Sequence, residues 1–165
     1  MYGVGDIRRF VRDCWGLVNY SHKPKMVYRP KVKGVLATSG VWTLDPEDRP
    51  STTELISQSD IVISMAFTSP TTEAWAMGVP GLFYDVGNKY PNNIYAGRGV
   101  VARDERELRR MVIRAKSGMM DETFNELREE FELDGTGIHG MRGLLKYGKE
   151  LRRLGPAWKQ FSNLT

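Results

Sequence analysis

The stretch that decides the fold is residues 59–85, which read Ser-Asp-Ile-Val-Ile-Ser-Met-Ala-Phe-Thr-Ser-Pro-Thr-Thr-Glu-Ala-Trp-Ala-Met-Gly-Val-Pro-Gly-Leu-Phe-Tyr-Asp. This stretch predicts a strand over residues 61–64, a helix over 70–77 and a second strand over 81–84. The first strand opens on a continuous β-branched apolar run, which is typical of a strand covered on both faces. Strand, helix and strand in this order predict a parallel α/β sheet.

The ends of the predicted helix are marked by four residues. Ser69 is a good N-cap, and Pro70 then falls at the first helical position, where a missing N–H costs nothing. Gly78 suits the left-handed residue that ends a helix, and Pro80 prevents continuation. The helix therefore starts directly after the carboxyl end of a parallel strand. Free N–H groups and the positive end of the helix dipole make such a start a site for anions.

The run from Ser69 to Pro80 resembles the donor-binding motif in the C-terminal domain of GT-B glycosyltransferases, a motif shared with the related sugar-nucleotide 2-epimerases. In both families the motif is a polar loop followed by Glu-Ala, three residues and Gly-x-Pro. The resemblance implies that Ser69, Thr71 and Thr72 contact the diphosphate of a nucleotide sugar and that Glu73 binds the ribose hydroxyls. An alternative for Glu73 is an ordinary acid in the first turn of a helix, where the dipole favours it.

Four further residues are candidate contacts for the nucleotide sugar. By the same resemblance Asn92 and Asn93 lie in a polar loop that faces the donor sugar, although turn chemistry explains them nearly as well. Arg29 follows a predicted strand, where a guanidinium can hold a phosphate through two hydrogen bonds. Arg98 lies between two glycines near the predicted ligand edge. For both arginines the alternative is an exposed surface position.

Two features depart from the GT-B pattern. Many retaining enzymes carry an acid eight residues before the Glu of the motif, and here that position is Met65. This favours an inverting transferase or an epimerase. The second departure is size, because 165 residues correspond to about one domain. We therefore expect one Rossmann-like half of a GT-B fold, with the acceptor-binding half supplied by a partner chain or domain.

The remaining sequence alternates between strands and helices. Asp6 can cap a first helix that runs to about Tyr20, and Ser51 with Glu54 forms a capping box for a short helix. Asp104 caps a later helix that Gly118 ends. Further predicted elements are strands near 25–28, 35–37 and 100–102, a loop at 44–50, a helix near 121–132, and a last helix bearing Leu144, Leu145, Leu151 and Leu154. We assign residues 1–140 to a Rossmann-like nucleotide-sugar-binding domain and 141–165 to a basic C-terminal helix and tail.

Composition and charge indicate the cellular compartment of the protein. The one cysteine, Cys14, cannot form an internal disulfide, and it falls on an apolar helical stripe, which favours a packing role. No apolar run approaches the roughly 18 residues of a membrane span, and no secretion signal opens the chain. These features predict a cytoplasmic protein. The net charge of +4 includes a basic C-terminal cluster, which favours a solvated helix face; the alternatives are contact with nucleic acid, with a phosphorylated substrate or with anionic lipid at the inner face of the membrane.

The resemblance to GT-B enzymes implies that the chain is a glycosyltransferase donor-binding domain, which transfers a sugar from a nucleoside-diphosphate sugar to a glycan or lipid acceptor. The alternatives are half of a sugar-nucleotide 2-epimerase and a non-catalytic nucleotide-binding module. A nucleic-acid-binding domain is not expected, because the basic residues lack interleaved aromatic ones. No cofactor or metal site is predicted, and neither His22 nor His139 lies in a catalytic pattern, so no catalytic residue is assigned.

Overall fold

The computed structural model describes residues 2–18, 27–28, 42–43 and 51–130. Within these ranges the helices are α1 (Val4–Val18), α2 (Thr52–Ser57), α3 (Ser69–Ala76), α4 (Glu105–Lys116) and α5 (Asp121–Glu130). The strands are β1 (Val27–Tyr28), β2 (Trp42–Thr43), β3 (Val62–Met65), β4 (Gly81–Tyr84) and β5 (Val101–Ala102). The β3–α3–β4 unit is the one that residues 59–85 predict.

A three-stranded parallel sheet in the order β3–β4–β5 forms the centre of the described fold. Ser64 of β3 lies beside Phe83 of β4, and Phe83 lies beside Val101 of β5. All four residues of β4 are buried, as expected for a central strand covered on both faces. β1 and β2 form a separate parallel pair. The parallel α/β class is confirmed. These strands do not show a complete Rossmann-like half of a GT-B fold, which stays a prediction.

Two adjacent residues of β4 show that helices cover both faces of the sheet. The ring of Phe83 packs edge-on against Trp75 of α3, with their centroids 5.7 Å apart. On the opposite face, the Tyr84 ring packs against Phe10 of α1, and its hydroxyl donates to Asp13 at 2.7 Å. Because successive side chains of a strand point in opposite directions, α1 and α3 lie on opposite faces.

The other helices extend these two layers. α4 contacts α1 and β5, whereas α5 and α2 both contact α3. One face of the sheet is therefore covered by α1 and α4, and the other by α2, α3 and α5. The core between them includes Trp75 and Cys14, which are both buried, and the packing role that the sequence predicts for Cys14 is confirmed.

The helix ends that the sequence marks most strongly are confirmed. Ser51 accepts a hydrogen bond from the Glu54 amide at 3.1 Å, and Glu54 accepts one from the Ser51 amide at 2.6 Å, which completes the capping box. Asp104 caps α4 by accepting from the Glu107 amide at 2.8 Å. Gly118 follows α4 with a φ of +75°, the left-handed conformation that favours glycine there.

One local prediction was wrong, and one strand was missed. α1 begins at Val4, two residues before the predicted cap, and Asp6 lies in its first turn. There its carboxylate accepts from the Gly3 amide at 2.6 Å, so the side chain still satisfies an N-terminal donor. β2 at Trp42–Thr43 was not predicted, because two residues carry no periodicity and the strand is defined by its pairing with β1.

Several predictions concern residues outside the described ranges. They are Arg29, the strand at 35–37, the loop at 44–50, the domain boundary at 140 and the basic segment 141–165. Among the residues that are described, no helix is both long and apolar enough to cross a bilayer.

Candidate functional site

The start of α3 lies just beyond the carboxyl end of β3. Its N-cap is Thr68, and Ser69 is the first helical residue, so the prediction of Ser69 as N-cap was wrong by one position. The Thr68 side chain makes no capping bond, since its hydroxyl donates back to the Met65 carbonyl oxygen at 3.2 Å. Amides in the first helical turn have no intrahelical partner. Those of Ser69 and Thr71 are therefore left for a ligand or solvent, whereas Pro70 contributes no N–H.

The hydroxyls of the two threonines in α3 turn inward. Thr71 is fully buried, shares a 2.6 Å hydrogen bond with the Ser64 hydroxyl, and donates to the Leu82 carbonyl oxygen at 3.3 Å. Thr72 donates to the Ser69 carbonyl oxygen at 2.9 Å. These hydroxyls fix the helix to β3, to β4 and to its own first turn. A diphosphate contact from either threonine would therefore come from the backbone.

Glu73 is the acid of the candidate site, and it is half-buried. It lies beyond the first turn of α3, which contains no acidic residue. The sequence-based alternative, an acid placed by the dipole in the first turn, therefore does not describe its position. In the described part of the chain its carboxylate makes neither a hydrogen bond nor an ion pair. Glu73 thus keeps its acceptor capacity for another group.

The predicted sugar-facing asparagines differ in their surroundings. Asn93 donates from Nδ2 to the Tyr90 carbonyl oxygen at 2.8 Å and accepts from the Tyr95 amide at 2.8 Å. Both bonds are local, so Asn93 shapes the turn after residue 90. Asn92 is exposed. The alternative based on turn chemistry accounts for Asn93, and Asn92 remains available to solvent.

Arg98 forms an ion pair with a residue of α5. Its guanidinium pairs with the Glu130 carboxylate at 2.9 Å, and both side chains are close to half exposed. Gly97 and Gly99 on either side have φ values of +80° and +72°, which gives the loop the backbone freedom to present Arg98 at this position. The structure therefore does not bring Arg98 to Ser69 or Glu73 through any described contact.

Asp85, which sequence reasoning did not single out, is the buried carboxylate at the carboxyl end of β4. It accepts three hydrogen bonds: from the Tyr2 hydroxyl at 2.6 Å, the Lys89 amide at 2.9 Å and the Tyr90 amide at 2.8 Å. Burial, together with this bond to a carboxylate, raises the pKa of Tyr2 well above its usual range. Asp85 thus ties the segment before α1 and the loop after β4 to the strand end.

An aromatic cluster fixes the loop between β3 and α3. Phe67 stacks on Tyr95 with centroids 5.8 Å apart, and it also contacts Phe83 at 5.2 Å and Tyr90 at 6.0 Å. Aromatic contacts of this kind contribute about 0.5–1.5 kcal/mol each beyond the area that they bury. Because Phe67 directly precedes the N-cap of α3, these contacts set where the uncapped helix start lies.

The candidate site consequently consists of the start of α3, the carboxylate of Glu73, which has no partner among the described residues, and two loops. Phe67 anchors the loop between β3 and α3, and Asp85 holds the loop after β4. Among the described residues, no group of three or more histidine, cysteine, aspartate and glutamate side chains is arranged to hold a metal ion.

Comparison with known proteins gives one family. No curated protein and no solved structure matches the chain. The model of one protein family, described as polysaccharide biosynthesis PFTS motif protein, matches residues 6–112, more than half of the chain. The match runs from the first turn of α1 into α4 and includes the whole β3–α3–β4 unit. The chain therefore belongs to the polysaccharide biosynthesis PFTS motif family.

Proposed function

We propose that this chain is the donor-binding part of a glycosyltransferase of polysaccharide biosynthesis. The start of α3 holds the diphosphate of a nucleotide sugar, and Glu73 accepts hydrogen bonds from the ribose hydroxyls. The observation that carries the proposal is the combination of an uncapped helix start at a strand's carboxyl end with a nearby carboxylate that has no described partner.

We read the four letters in the family name as one-letter amino-acid codes and, as part of the proposal, assign the motif to this loop. Taken as one-letter amino-acid codes, PFTS corresponds to Ala66-Phe67-Thr68-Ser69, with alanine in the first position and a match at the other three. Phe67 is the aromatic anchor of the loop, Thr68 is the N-cap and Ser69 is the first helical residue. A motif at these positions is the segment that sets the shape of the proposed anion site.

The chemistry follows from where charge develops. When the sugar leaves its donor, negative charge grows on the departing diphosphate. Backbone amides and the positive end of a helix dipole stabilise that charge without reorganising. Under this proposal the amides of Ser69 and Thr71 supply the stabilisation, and the buried hydroxyls of Thr71 and Thr72 keep the helix fixed. The acceptor, and the base that activates it, belong to a partner chain or domain.

The proposal can be tested by closing the anion site without disturbing the fold. Thr68→Asp places a carboxylate at the N-cap of α3, where it can accept from the free amides and repel a diphosphate. We expect unchanged or higher thermal stability together with an affinity for uridine diphosphate at least about ten-fold lower, measured by calorimetry. Because backbone amides bind the anion, binding by the unmodified chain should survive a metal chelator.

The matched control is Ser51→Asp, which makes the same kind of change at the N-cap of α2 and should leave the affinity as it was. Equal affinity in Thr68→Asp and the unmodified chain would contradict the placement of the diphosphate. No binding of any nucleoside diphosphate by the unmodified chain would contradict the function itself.

A further inference from the structure

The two helical layers of this fold carry opposite charge. The layer formed by α1 and α4 contains eight basic and four acidic residues. The layer formed by α2, α3 and α5 contains one basic and seven acidic residues. Although the net charge of the chain is small, the described fold has a basic face and an acidic face on opposite sides of the sheet. A separation of this kind orients a protein toward an anionic partner.

The acidic residues of the basic layer are engaged locally. Asp13 is buried, forms ion pairs with Arg9 and Arg12, and accepts a hydrogen bond from the Tyr84 hydroxyl. Glu105 pairs with Arg109 at 3.2 Å. The remaining acids are Asp6, which pairs with Lys89, and Glu107, which accepts from the Arg103 amide. Even with all four acids counted, this layer keeps an excess of four basic residues, since it has eight basic and four acidic ones.

The outward side of α4 combines unpaired arginines with an exposed apolar side chain. Arg106, Arg110, Ile113 and Arg114 occur at spacings that place them together on one side of a helix; we call this group the α4 outer face. All three arginines are exposed, and none forms an ion pair with a described residue. Ile113 is 62% exposed, and Met119, just past the end of α4, is 69% exposed. Val4 on neighbouring α1 is 55% exposed.

We propose that the α4 outer face docks on a membrane surface rich in anionic phospholipids. Guanidinium groups bind headgroup phosphates, while Ile113 enters the boundary between headgroups and acyl chains. Basic residues near such a surface are each worth about 1 kcal/mol, which is about a five-fold gain in affinity. This site is separate from the proposed nucleotide-sugar site, and it differs from the basic segment 141–165, for which sequence analysis gave membrane contact as one alternative.

Two other kinds of anionic partner fit the α4 outer face less well. Single-stranded nucleic acid is usually held by aromatic side chains that stack on the bases, and α4 contains no aromatic residue. A protein partner usually buries a contiguous apolar centre, whereas Ile113 is surrounded by arginines. A bilayer interface accepts isolated apolar side chains between cationic ones.

The test uses co-sedimentation of the full chain with two kinds of vesicle, one of phosphatidylcholine alone and one with about a third phosphatidylglycerol. We expect binding to the anionic vesicles only, weakened by high salt. The triple variant Arg106→Gln, Arg110→Gln, Arg114→Gln should bind roughly a hundred-fold more weakly. Ile113→Gln should weaken binding while leaving its salt dependence as it was. These positions are exposed, so thermal unfolding should confirm that each variant folds.

The matched control changes the net charge equally on the acidic face. The control variant combines Thr53→Glu, Gln58→Glu and Asn125→Glu, which together lower the net charge by three units. All three positions are exposed: Thr53 lies in α2, Gln58 is the C-cap of α2 and Asn125 lies in α5. We expect this variant to bind nearly as well as the unmodified chain. Equal weakening in both triple variants would reduce the effect to net charge and overturn the proposal. Full binding by the arginine variant would overturn it by assigning the contact to another segment, and binding of duplex DNA in place of vesicles would overturn the choice of lipid.

Discussion

The indole N–H of Trp75 donates to the carbonyl oxygen of Gly81 at 3.0 Å, across the contact between α3 and the start of β4. The helix lies so close to the strand at this point that a Cβ atom on Gly81 would be 2.8 Å from the Thr71 carbonyl oxygen and 2.9 Å from the Trp75 nitrogen. Both atoms belong to packed groups that cannot easily move away. The glycine therefore permits the close approach that places α3 over the sheet.

Gly81→Ala should consequently destabilise the protein. We expect the free energy of unfolding to fall by about 1–3 kcal/mol, since overpacking a rigid contact costs this much. Urea unfolding measures the change. Gly5→Ala is the control, because a Cβ atom there meets nothing within 4 Å and alanine favours the helix. A Gly81→Ala variant as stable as the Gly5→Ala variant would show that α3 can move away from β4 at little cost.

High pH should destabilise the fold through Tyr84, which is buried, and Tyr2, which is half-buried. Burial and the hydrogen bond to Asp13 raise the pKa of Tyr84 above its ordinary value of 10.0, and burial with the bond to Asp85 does the same for Tyr2. Above pH 10 the unfolded chain releases protons that the folded chain retains, so the stabilisation is present below pH 10 and declines above it. Each tyrosine can contribute up to about 1.4 kcal/mol per pH unit to this decline.

Tyr84→Phe separates the two effects of that side chain. At pH 8 the variant should be less stable by about 1–3 kcal/mol, because the buried Asp13 carboxylate loses a donor. Between pH 10 and 11.5 its stability should decline less steeply than that of the unmodified chain. Unfolding free energies measured across this range provide the comparison. Parallel curves for the two proteins would contradict the assignment of the alkaline decline to Tyr84.

Helix ends with local signals could be predicted from the sequence. Ser51 with Glu54, Asp104 and Gly118 act on residues within four positions of themselves, so their pattern is sufficient. The start of α3 was misplaced by one residue because Thr68 and Ser69 are both good N-cap types. Local propensity cannot choose between them, and the packing of the preceding loop against the core makes the choice.

The surroundings of the site residues could not be predicted in the same way. Asp85 binds Tyr2 across 83 positions of sequence, and Arg98 meets Glu130 across 32. Neither pair leaves a periodic pattern. For Thr71, the sequence indicates a polar side chain but not its direction, and only the register between β3 and β4 shows that its hydroxyl faces the strands.

The Arg98–Glu130 ion pair should make a small contribution to stability. Both side chains are close to half exposed, so solvent screens the attraction, and a double-mutant cycle with Arg98→Ala and Glu130→Ala should give a coupling of at most about 1 kcal/mol. We also expect Arg98→Ala to change the affinity for uridine diphosphate less than about three-fold. A much larger loss in calorimetry would return Arg98 to the donor site, as its position near the predicted ligand edge suggested in the sequence analysis.

The role of Glu73 can be tested with a variant and an altered ligand together. Glu73→Gln keeps the shape of the side chain and removes its charge. Two charge-assisted bonds to ribose are worth on the order of 1.5–3 kcal/mol each, so we expect calorimetry to show at least about a ten-fold loss of affinity for uridine diphosphate. Thermal stability should stay nearly unchanged, because the carboxylate has no described partner in the fold. Glu122→Gln, which neutralises a first-turn acid of α5, is the control and should leave the affinity unchanged.

The altered ligand is 2′-deoxyuridine diphosphate, which lacks one of the ribose hydroxyls that Glu73 is proposed to bind. The unmodified chain should bind it more weakly than uridine diphosphate, because a charged acceptor loses a donor. In Glu73→Gln the two ligands should bind with nearly equal affinity, since the interaction that distinguishes them is already weakened. If the preference for the ribose form is the same in both proteins, the hydroxyl is recognised elsewhere and Glu73 has no part in ribose binding.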